Sequence, residues 1–293
     1  MRAAHVASSP SAQHAQASIP DEVIIKADRG WVPLNIAEVW AYRELLFFFT
    51  WRDIKVRYKQ TLLGAAWIVL QPVSNMLLFS IIFGNLAHLN SDGIPYPLFS
   101  FSALLPWTFF QSGLSSSANS LVGNSNLIQK VYFPRLVMPL SSIVGRLPDF
   151  LLSFLILIGL MVYYGVYPTN LAVLLLPVFL LVAGITALGV GLWFSAITVI
   201  YRDARIVVGF LTRFWMYASP VVYSASIIKE PWTTIYALNP MSGVIIGFRW
   251  ALLGQGSSPD VQAMIISSLM AVVVLVSGAY FFKRMERIFA DLV

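Results

Sequence analysis

Few side chains in this chain could perform acid–base, nucleophilic or metal chemistry. The 293 residues include no cysteine and only three scattered histidines, His5, His14 and His88. A thiolate nucleophile and a cysteine metal site are therefore excluded, and a histidine metal site is not expected. No lysine follows a glycine, so the chain has no G-x-x-x-x-G-K phosphate loop. The sequence predicts neither a metal centre nor a nucleotide site on this chain.

Carboxylates are also scarce within the apolar stretches. Asp149 lies one turn after Arg146, where an i,i+3 ion pair at a membrane interface explains it, and Asp203 lies in a short charged segment. An ion-coupled carrier would need acidic groups inside the membrane. A membrane-embedded glycosyltransferase or acyltransferase would need a carboxylate or histidine at a membrane face. Both alternatives fit poorly, so the energy for any transport is expected to come from a separate subunit.

The segment 124–148, NSNLIQKVYFPRLVMPLSSIVGRLP, is the most distinctive basic stretch. It carries three cations and three prolines: Lys130, Arg135, Arg146, Pro134, Pro139 and Pro148. Proline lacks a backbone donor and disfavours helical geometry in the residue before it, so the segment cannot be one helix. We expect a short helix over Leu127–Phe133 at the cytoplasmic membrane surface, where a separate motor could push. The residues expected to contact that motor are Leu127, Gln129, Lys130, Tyr132, Phe133 and Arg135.

Aromatic and amide side chains recur within several apolar stretches. Aromatic faces can stack on sugar rings, and interleaved amides can bond to the hydroxyl groups, so such a wall suits a sliding glycan. The alternative is that these aromatics form interfacial belts or internal packing. The residues expected to line a substrate channel are Trp67, Gln71, Asn75, Trp107, Phe110, Phe210, Phe214 and Tyr217.

The composition indicates that most of the chain lies in lipid. Apolar residues make up 58% and charged residues 11%, with a mean hydropathy of +0.76. Soluble domains carry about 25% charged residues. We predict an all-α membrane protein with six transmembrane helices, at residues 65–89, 96–122, 147–167, 171–200, 206–224 and 263–282. Residues 225–262 fit a re-entrant or interfacial helical pair, with a further pair of crossings as the alternative.

The region before the first span divides into two parts. Residues 1–30 have no apolar core segment and are expected to form a disordered cytosolic tail. Residues 31–63 are amphipathic and are expected to form an interface helix, with 64–293 as the six-span domain. A helix packed on a soluble core is the alternative. The interface helix carries an aromatic stripe and cations that include Trp51, Arg52, Lys55, Arg57 and Lys59.

The basic residues are distributed unevenly. Seventeen of the 19 Lys and Arg residues fall on the side of the N-terminus, and only Lys229 and Arg249 fall on the other. The positive-inside rule then places both termini in the cytoplasm. The same asymmetry explains the net charge of +6 without a nucleic-acid partner.

Small residues recur every four positions in the fourth span, at Ala183, Ala187, Gly191 and Ser195. Such a stripe lets two helix backbones approach closely. Packing within the chain and contact with a second subunit are both compatible with it.

Several segments resemble permease subunits of ABC exporters for O-antigen and related cell-surface polysaccharides, in the ABC-2 type family. They follow the family's order and extend from about Ala37 to the C-terminus. The segments are WRDIKVRYKQTLLGAAWIVLQP (51–72), LIQKVYFPRLVMPLSS (127–142), YRDAR (201–205), Ser219-Pro220 and LNPMSGVIIGFRWALLG (238–254).

The resemblance implies a homodimer of six-span permeases in the bacterial inner membrane, each bound to one cytosolic ATPase subunit that holds ATP and Mg²⁺. Leu127–Phe133 would be the family's coupling helix, and 225–262 its extracytoplasmic gate helices. Spans one, two and five would flank a channel at the dimer axis. The substrate would be an undecaprenyl-linked O-antigen polysaccharide. Export of teichoic acid or capsule by the same mechanism remains open.

Overall fold

A computed structural model describes residues 36–59, 64–168, 171–229, 231–254 and 260–292. The expected tail at 1–30 and the ends of the interface-helix region, 31–35 and 60–63, lie outside the described residues. Within them the chain forms helices and connecting turns without strands. The helices are α1 (Ile36–Ala41), α2 (Arg43–Lys59), α3 (Gly64–Phe79), α4 (Tyr96–Gly123), α5 (Ser125–Ile128), α6 (Val137–Val144), α7 (Leu147–Tyr164), α8 (Leu176–Ile200), α9 (Ala204–Tyr217), α10 (Trp232–Ala237), α11 (Pro240–Leu253) and α12 (Val261–Leu292).

Four stretches of the described chain are long and apolar enough to cross a membrane. They are Ala66–Leu86, Val137–Tyr164, Leu171–Ile200 and Val261–Glu286. They overlap the predicted first, third, fourth and sixth spans. The first continues α3 through π-helical turns at Ser80–Leu86, and the fourth predicted span includes 3-10 turns at Leu171–Leu175 before α8.

The predicted second and fifth spans correspond to helices outside this group of four. α4 has 28 residues, enough to cross, but it is rich in serine. α9 has 14 residues and ends at Tyr217 rather than at Ser224. At 1.5 Å per residue it is about 21 Å long, shorter than a hydrocarbon core of about 30 Å. The turn that follows it is buried at residues 219–222.

α4 lies at the centre of the bundle. Its residues Leu98, Phe101 and Leu114 have no solvent exposure, and the helix contacts α3, α6, α7, α8, α9 and α11. Because its neighbours surround it, several of its serines donate to carbonyls of the previous turn, as Ser102 does to Phe99 and Ser120 to Ser117. Such bonds satisfy a buried hydroxyl without a partner side chain. The hydroxyl of Ser117 differs, because it is buried without a hydrogen-bond partner among the described residues.

The small residues of α8 pack within the chain. A Cβ atom added to Gly189 would lie 2.6 Å from the backbone nitrogen of Leu275 in α12, and one added to Gly191 would lie 2.6 Å from Cβ of Ser117 in α4. Ala183 and Ala187 are fully buried. The stripe therefore brings α8 against α4 and α12, and the choice between intrachain and subunit packing is resolved in favour of intrachain packing.

A second apolar cluster lies apart from the main core and joins α2, α4, α6, α8 and α12. We call it the anchor cluster. Its buried members are Phe49, Leu121, Phe133, Val137, Met138, Leu192, Ala196, Ala279, Phe282 and Phe289. α6 contributes two of them, so the part of segment 124–148 that follows Pro134 is a buried helix and not a surface loop.

We predict that Gly189→Ala lowers the thermal unfolding temperature of the purified protein in detergent. The added methyl group would meet the backbone of α12, which cannot rotate away, and overpacking of this kind costs about 1–3 kcal/mol. Gly159→Ala in α7 is the matched control, because a Cβ there meets nothing within 4 Å. An unchanged or raised transition for Gly189→Ala would contradict the close contact between α8 and α12.

Candidate functional site

The segment from Asn124 to Leu136 contains less helix than its sequence indicates. α5 is a single turn over Ser125–Ile128, and the chain leaves helical geometry before Phe133. The predicted helix over Leu127–Phe133 is therefore wrong in its extent. Pro134 disfavours helical geometry in the residue before it, which accounts for the non-helical backbone at Phe133.

Phe133 and Arg135 fasten this segment to the rest of the chain. Phe133 is 4% exposed, and its ring lies 5.7 Å from that of Phe49 in α2. Arg135 donates to the carbonyl oxygen of Glu286 in α12 at 2.5 Å, and its guanidinium lies 5.7 Å from the ring of Phe289. Both side chains were expected to contact a motor, but the structure uses them to hold the segment in place.

The residues between these attachments and α5 form an exposed tip. We call Gln129–Tyr132 the coupling tip. Val131 is 55% exposed and Tyr132 is 68% exposed, and Lys130 beside them is also exposed. Leu127 instead packs against the anchor cluster. The tip therefore presents an apolar and a basic group on a short loop whose two ends are fixed.

α2 lies beside this segment and contacts α6 through Phe49. Its aromatic residues Phe47 and Trp51 are exposed, as an interface helix requires. The amphipathic pattern expected for this helix is not present, because the exposed Lys55 and Lys59 continue the i, i+4 row of Phe47 and Trp51 instead of lying opposite it. Arg52 bonds to Asp53 and Asn124, both at 2.8 Å, whereas Lys55 and Lys59 remain exposed.

Arg57 also turns inward, to Asp149 at the start of α7. Its Nη1 lies 2.7 Å from the Asp149 carboxylate and 3.0 Å from the Gly145 carbonyl. The expected pair of Arg146 with Asp149 is present at 3.5 Å, but Arg57 is the closer partner. Tyr58 donates to the same carboxylate at 3.1 Å. Burial, followed by the charge of Asp149, raises the pKa of Tyr58 to about 12, so the phenol stays protonated and keeps this hydrogen bond.

The residues expected to line a channel fall into two groups. Trp67, Gln71 and Asn75 are exposed on α3. On α9, Phe210, Phe214 and Tyr217 are more than half exposed, at i, i+4 and i+7. The other group comprises Trp107 and Phe110.

Trp107 and Phe110 are buried inside the main core and do not reach a surface in this structure. Their ring centroids lie 5.1 Å apart, and Phe110 meets Trp215 edge-on at 5.1 Å. Their assignment to a channel wall is therefore corrected to core packing. The physical reason is the position of α4, whose neighbours surround it.

Arg213 shares the exposed face of α9 with the aromatic residues. It follows Phe210 by three positions and precedes Tyr217 by four, and it is exposed. The positive-inside rule placed Arg213 among the cytoplasmic cations. In the structure it lies within α9, nine residues after the first residue of that helix, Ala204. A guanidinium exposed on an apolar helix is costly against lipid. This combination of a cation and aromatic rings favours an aqueous boundary for that face.

The region between α9 and α12 contains a helical pair, α10 and α11, and α11 is deeply buried. Arg249 of α11 donates to the carbonyl oxygens of Pro220 at 2.6 Å, Val221 at 2.7 Å and Tyr223 at 3.1 Å. Its guanidinium also lies 3.6 Å from the ring centroid of Phe99. Sequence reasoning missed this clamp, because an arginine in a short apolar run gives no signal about which backbone it will bind.

Asn239 joins the same turn to the helical pair. Its side-chain oxygen accepts from Trp215 at 2.8 Å and from the Met241 backbone at 3.0 Å, and its nitrogen donates to Ser219 at 2.8 Å. The end of α9 is thus attached to α11 by two polar side chains. Among the described residues no group of three or more metal-ligating side chains occurs.

Apolar helices of membrane-crossing length, with a helix beside them that exposes aromatic residues, define a polytopic membrane protein. The chain belongs to the ABC-2 type transporter family, whose model matches residues 44–253.

Three relatives show how far the similarity extends. The O-antigen export system permease protein RfbA of Myxococcus xanthus is 31% identical over 258 residues, which cover 87% of this chain and 98% of the relative. RfbA of Klebsiella pneumoniae is 28% identical over 249 residues, 85% of this chain and 95% of the relative. The polysialic acid transport protein KpsM of Escherichia coli is 26% identical over 243 residues, 80% of this chain and 91% of the relative.

We predict that Phe133→Ala and Tyr132→Ala differ sharply in stability although they are neighbours. Phe133 fills the anchor cluster, and truncating a buried phenylalanine costs about 3–5 kcal/mol. Tyr132 is exposed, so its truncation should change stability by less than about 0.5 kcal/mol. Thermal unfolding in detergent measures both, and equal transitions for the two variants would contradict the division into anchor and tip.

Proposed function

We propose that this chain is the channel-forming permease subunit of an ATP-driven exporter, which moves an undecaprenyl-linked O-antigen polysaccharide across the bacterial inner membrane. Membership of the ABC-2 type family supports a transporter. The nearly full-length similarity to O-antigen export permeases supports the substrate class. The observation that carries the mechanism is the coupling tip, exposed at Lys130–Tyr132 and fixed at both ends.

The coupling tip would seat on a cytosolic ATP-binding subunit, which supplies ATP and Mg²⁺. Exposed apolar and basic groups at a loop apex suit a protein contact, because aromatic anchors dominate interface energy. A push on the tip would pass through Phe133 to α2 and α6, and through Arg135 to α12. The anchor cluster also includes residues of α4 and α8. The four long helices α2, α4, α8 and α12 would therefore move with the loop.

The conduit would form between two copies of the chain. The exposed face of α9 supplies Phe210, Phe214 and Tyr217, and α3 supplies Asn75. Aromatic rings can carry the apolar faces of successive sugars, and Arg213 on the α9 face keeps that wall hydrated. The proposed assembly is a homodimer of this chain with two ATP-binding subunits.

The topology of the proposal has six crossings with both termini in the cytoplasm. α4 would supply the second, and α9 with the buried turn after it would supply the fifth. α10 and α11 would then form the extracytoplasmic gate pair, held to the end of α9 by Arg249 and Asn239.

Export of a capsular polysaccharide is a second candidate for the same machinery, as is teichoic acid. The similarity to a polysialic acid transport protein favours capsule as the alternative. Complementation separates them: the gene should restore O-antigen to the surface of a strain that lacks its O-antigen permease. Restoration of capsule alone in a capsule-permease mutant would favour the alternative.

We predict that Lys130→Glu combined with Tyr132→Ala abolishes surface glycan while the protein still inserts and folds. The pair removes the basic and aromatic contacts of the tip without touching the anchor cluster, so ATP hydrolysis by the complex should lose its coupling to export. Surface polysaccharide in intact cells and ATPase activity of the purified complex are the measurements.

Lys229→Glu is the matched control for that change. Lys229 is an exposed lysine on the side proposed to face away from the cytoplasm. The Lys229→Glu variant should export the glycan normally. Normal export by the Lys130 and Tyr132 double variant would refute the assignment of the tip.

We also predict that Phe214→Cys reacts with a water-soluble maleimide in membranes, whereas Leu155→Cys does not. Both side chains are more than 60% exposed, and the natural chain has no cysteine to give background. Leu155 lies on α7 and would face lipid, where no thiolate forms. Equal labelling of the two variants would contradict a conduit along α9.

A further inference from the structure

Two adjoining cavities open where α2 meets α3, α4, α6 and α7. The first, of about 240 Å³, has a mainly apolar wall that includes Trp67, Phe109 and Phe150, and we call it the apolar slot. The second, of about 410 Å³, is lined mainly by polar side chains such as Asn119 and Asn124, and we call it the polar pocket. Arg57 and Arg146 line both cavities and so mark their shared border.

The charges around the two cavities do not balance. Among the described residues that line the cavities, three guanidinium groups, those of Arg52, Arg57 and Arg146, face two carboxylates, those of Asp53 and Asp149, which gives this lining one more positive than negative charge. Asp53 pairs with Arg52 at 2.8 Å, and Asp149 pairs most closely with Arg57.

Arg146 carries the surplus. It reaches Asp149 only at 3.5 Å, and its Nε donates to the neutral hydroxyl of Ser116 at 2.9 Å. Its side chain is three-quarters buried. A largely buried charge that shares another residue's counter-ion is unfavourable unless a further anion approaches.

We propose that an anionic phospholipid of the adjacent leaflet occupies these cavities, with its phosphodiester in the polar pocket and part of an acyl chain in the apolar slot. One phosphodiester carries one negative charge, which equals the surplus. Guanidinium groups bind phosphate oxygens through paired donors. The inference rests on the proposed function for the placement of α2 at the membrane surface, which its exposed Phe47 and Trp51 support.

The lipid would tie α2 to the spans beside it. The residues around the two cavities come from five helices, α2, α3, α4, α6 and α7. A ligand that binds only the assembled site stabilises that assembly in proportion to its affinity. The bound lipid thus fixes the interface helix, which packs against the anchor cluster and hence against the coupling tip.

Asn119→Asp tests the proposal without altering any arginine. Asn119 lines the polar pocket, and its amide bonds only to the Ser115 carbonyl of its own helix among the described contacts. The isosteric aspartate adds one negative charge and cancels the surplus. Asn126→Asp is the matched control, because Asn126 is exposed on α5 and lines neither cavity.

The measurement is native mass spectrometry of the full-length permease in detergent, titrated with phosphatidylglycerol and with phosphatidylcholine of the same acyl chains. The wild type and Asn126→Asp should prefer phosphatidylglycerol by about fivefold, since one basic group near an anionic lipid contributes about 1 kcal/mol. Asn119→Asp should lose that preference. Arg52→Gln, which removes one positive charge where Asn119→Asp adds a negative one, should also lose the preference for phosphatidylglycerol.

Equal binding of the two lipids by the wild type would overturn the proposal, as would a preference that survives in Asn119→Asp and Arg52→Gln when thermal unfolding shows both variants folded. Displacement of phosphatidylglycerol by an equimolar polyprenyl phosphate would assign the site to a carrier lipid and overturn the phospholipid assignment. The titration needs neither the ATP-binding subunit nor a glycan, so its outcome is independent of the export experiments.

Discussion

The insertion of Phe133 into the anchor cluster is the contact on which the account of this protein depends. Without it, the loop after α4 would be a free connection between two helices, and a push on its apex would dissipate in the loop. Phe133 against Phe49 and Arg135 on the end of α12 fix the end of the loop that follows the tip, and Leu127 packed on the anchor cluster fixes the end before it. In the proposed mechanism a displacement at Tyr132 would then pass to the helices that meet in the anchor cluster.

The membrane environment explains how the remaining polar groups are placed. Arg249 bonds to backbone carbonyls, and Arg57 and Arg146 share Asp149, so these cations bind within the described part of the chain. Arg213 is different, because it is exposed among aromatic rings on a helix. That difference supports the proposal that this face of α9 borders water, whereas the apolar faces border lipid.

Much of the fold could be predicted from sequence because long apolar runs such as Leu171–Ile200 admit one interpretation in lipid. The burial of α6 could not, since Pro134 and Pro139 indicate a loop, whereas Pro139 lies in the first turn of α6, where the missing backbone donor breaks no intrahelical bond. The assignment of Trp107 and Phe110 to the channel was wrong for a similar reason. An aromatic pattern in the sequence does not show which helix lies at the centre of the bundle. The clamp by Arg249 depends on contacts 26 to 29 residues apart in the chain, which no local pattern contains.

The most direct test of the central claim is site-specific photo-crosslinking in intact cells, with a photoreactive phenylalanine in place of Tyr132 or of Tyr163. Both tyrosines are highly exposed. Tyr132 lies in the loop before the stretch Val137–Tyr164, and Tyr163 lies at the far end of that stretch. The account predicts a covalent adduct between position 132 and a nucleotide-binding protein, and none from position 163. An adduct from position 163 with none from position 132 would contradict it.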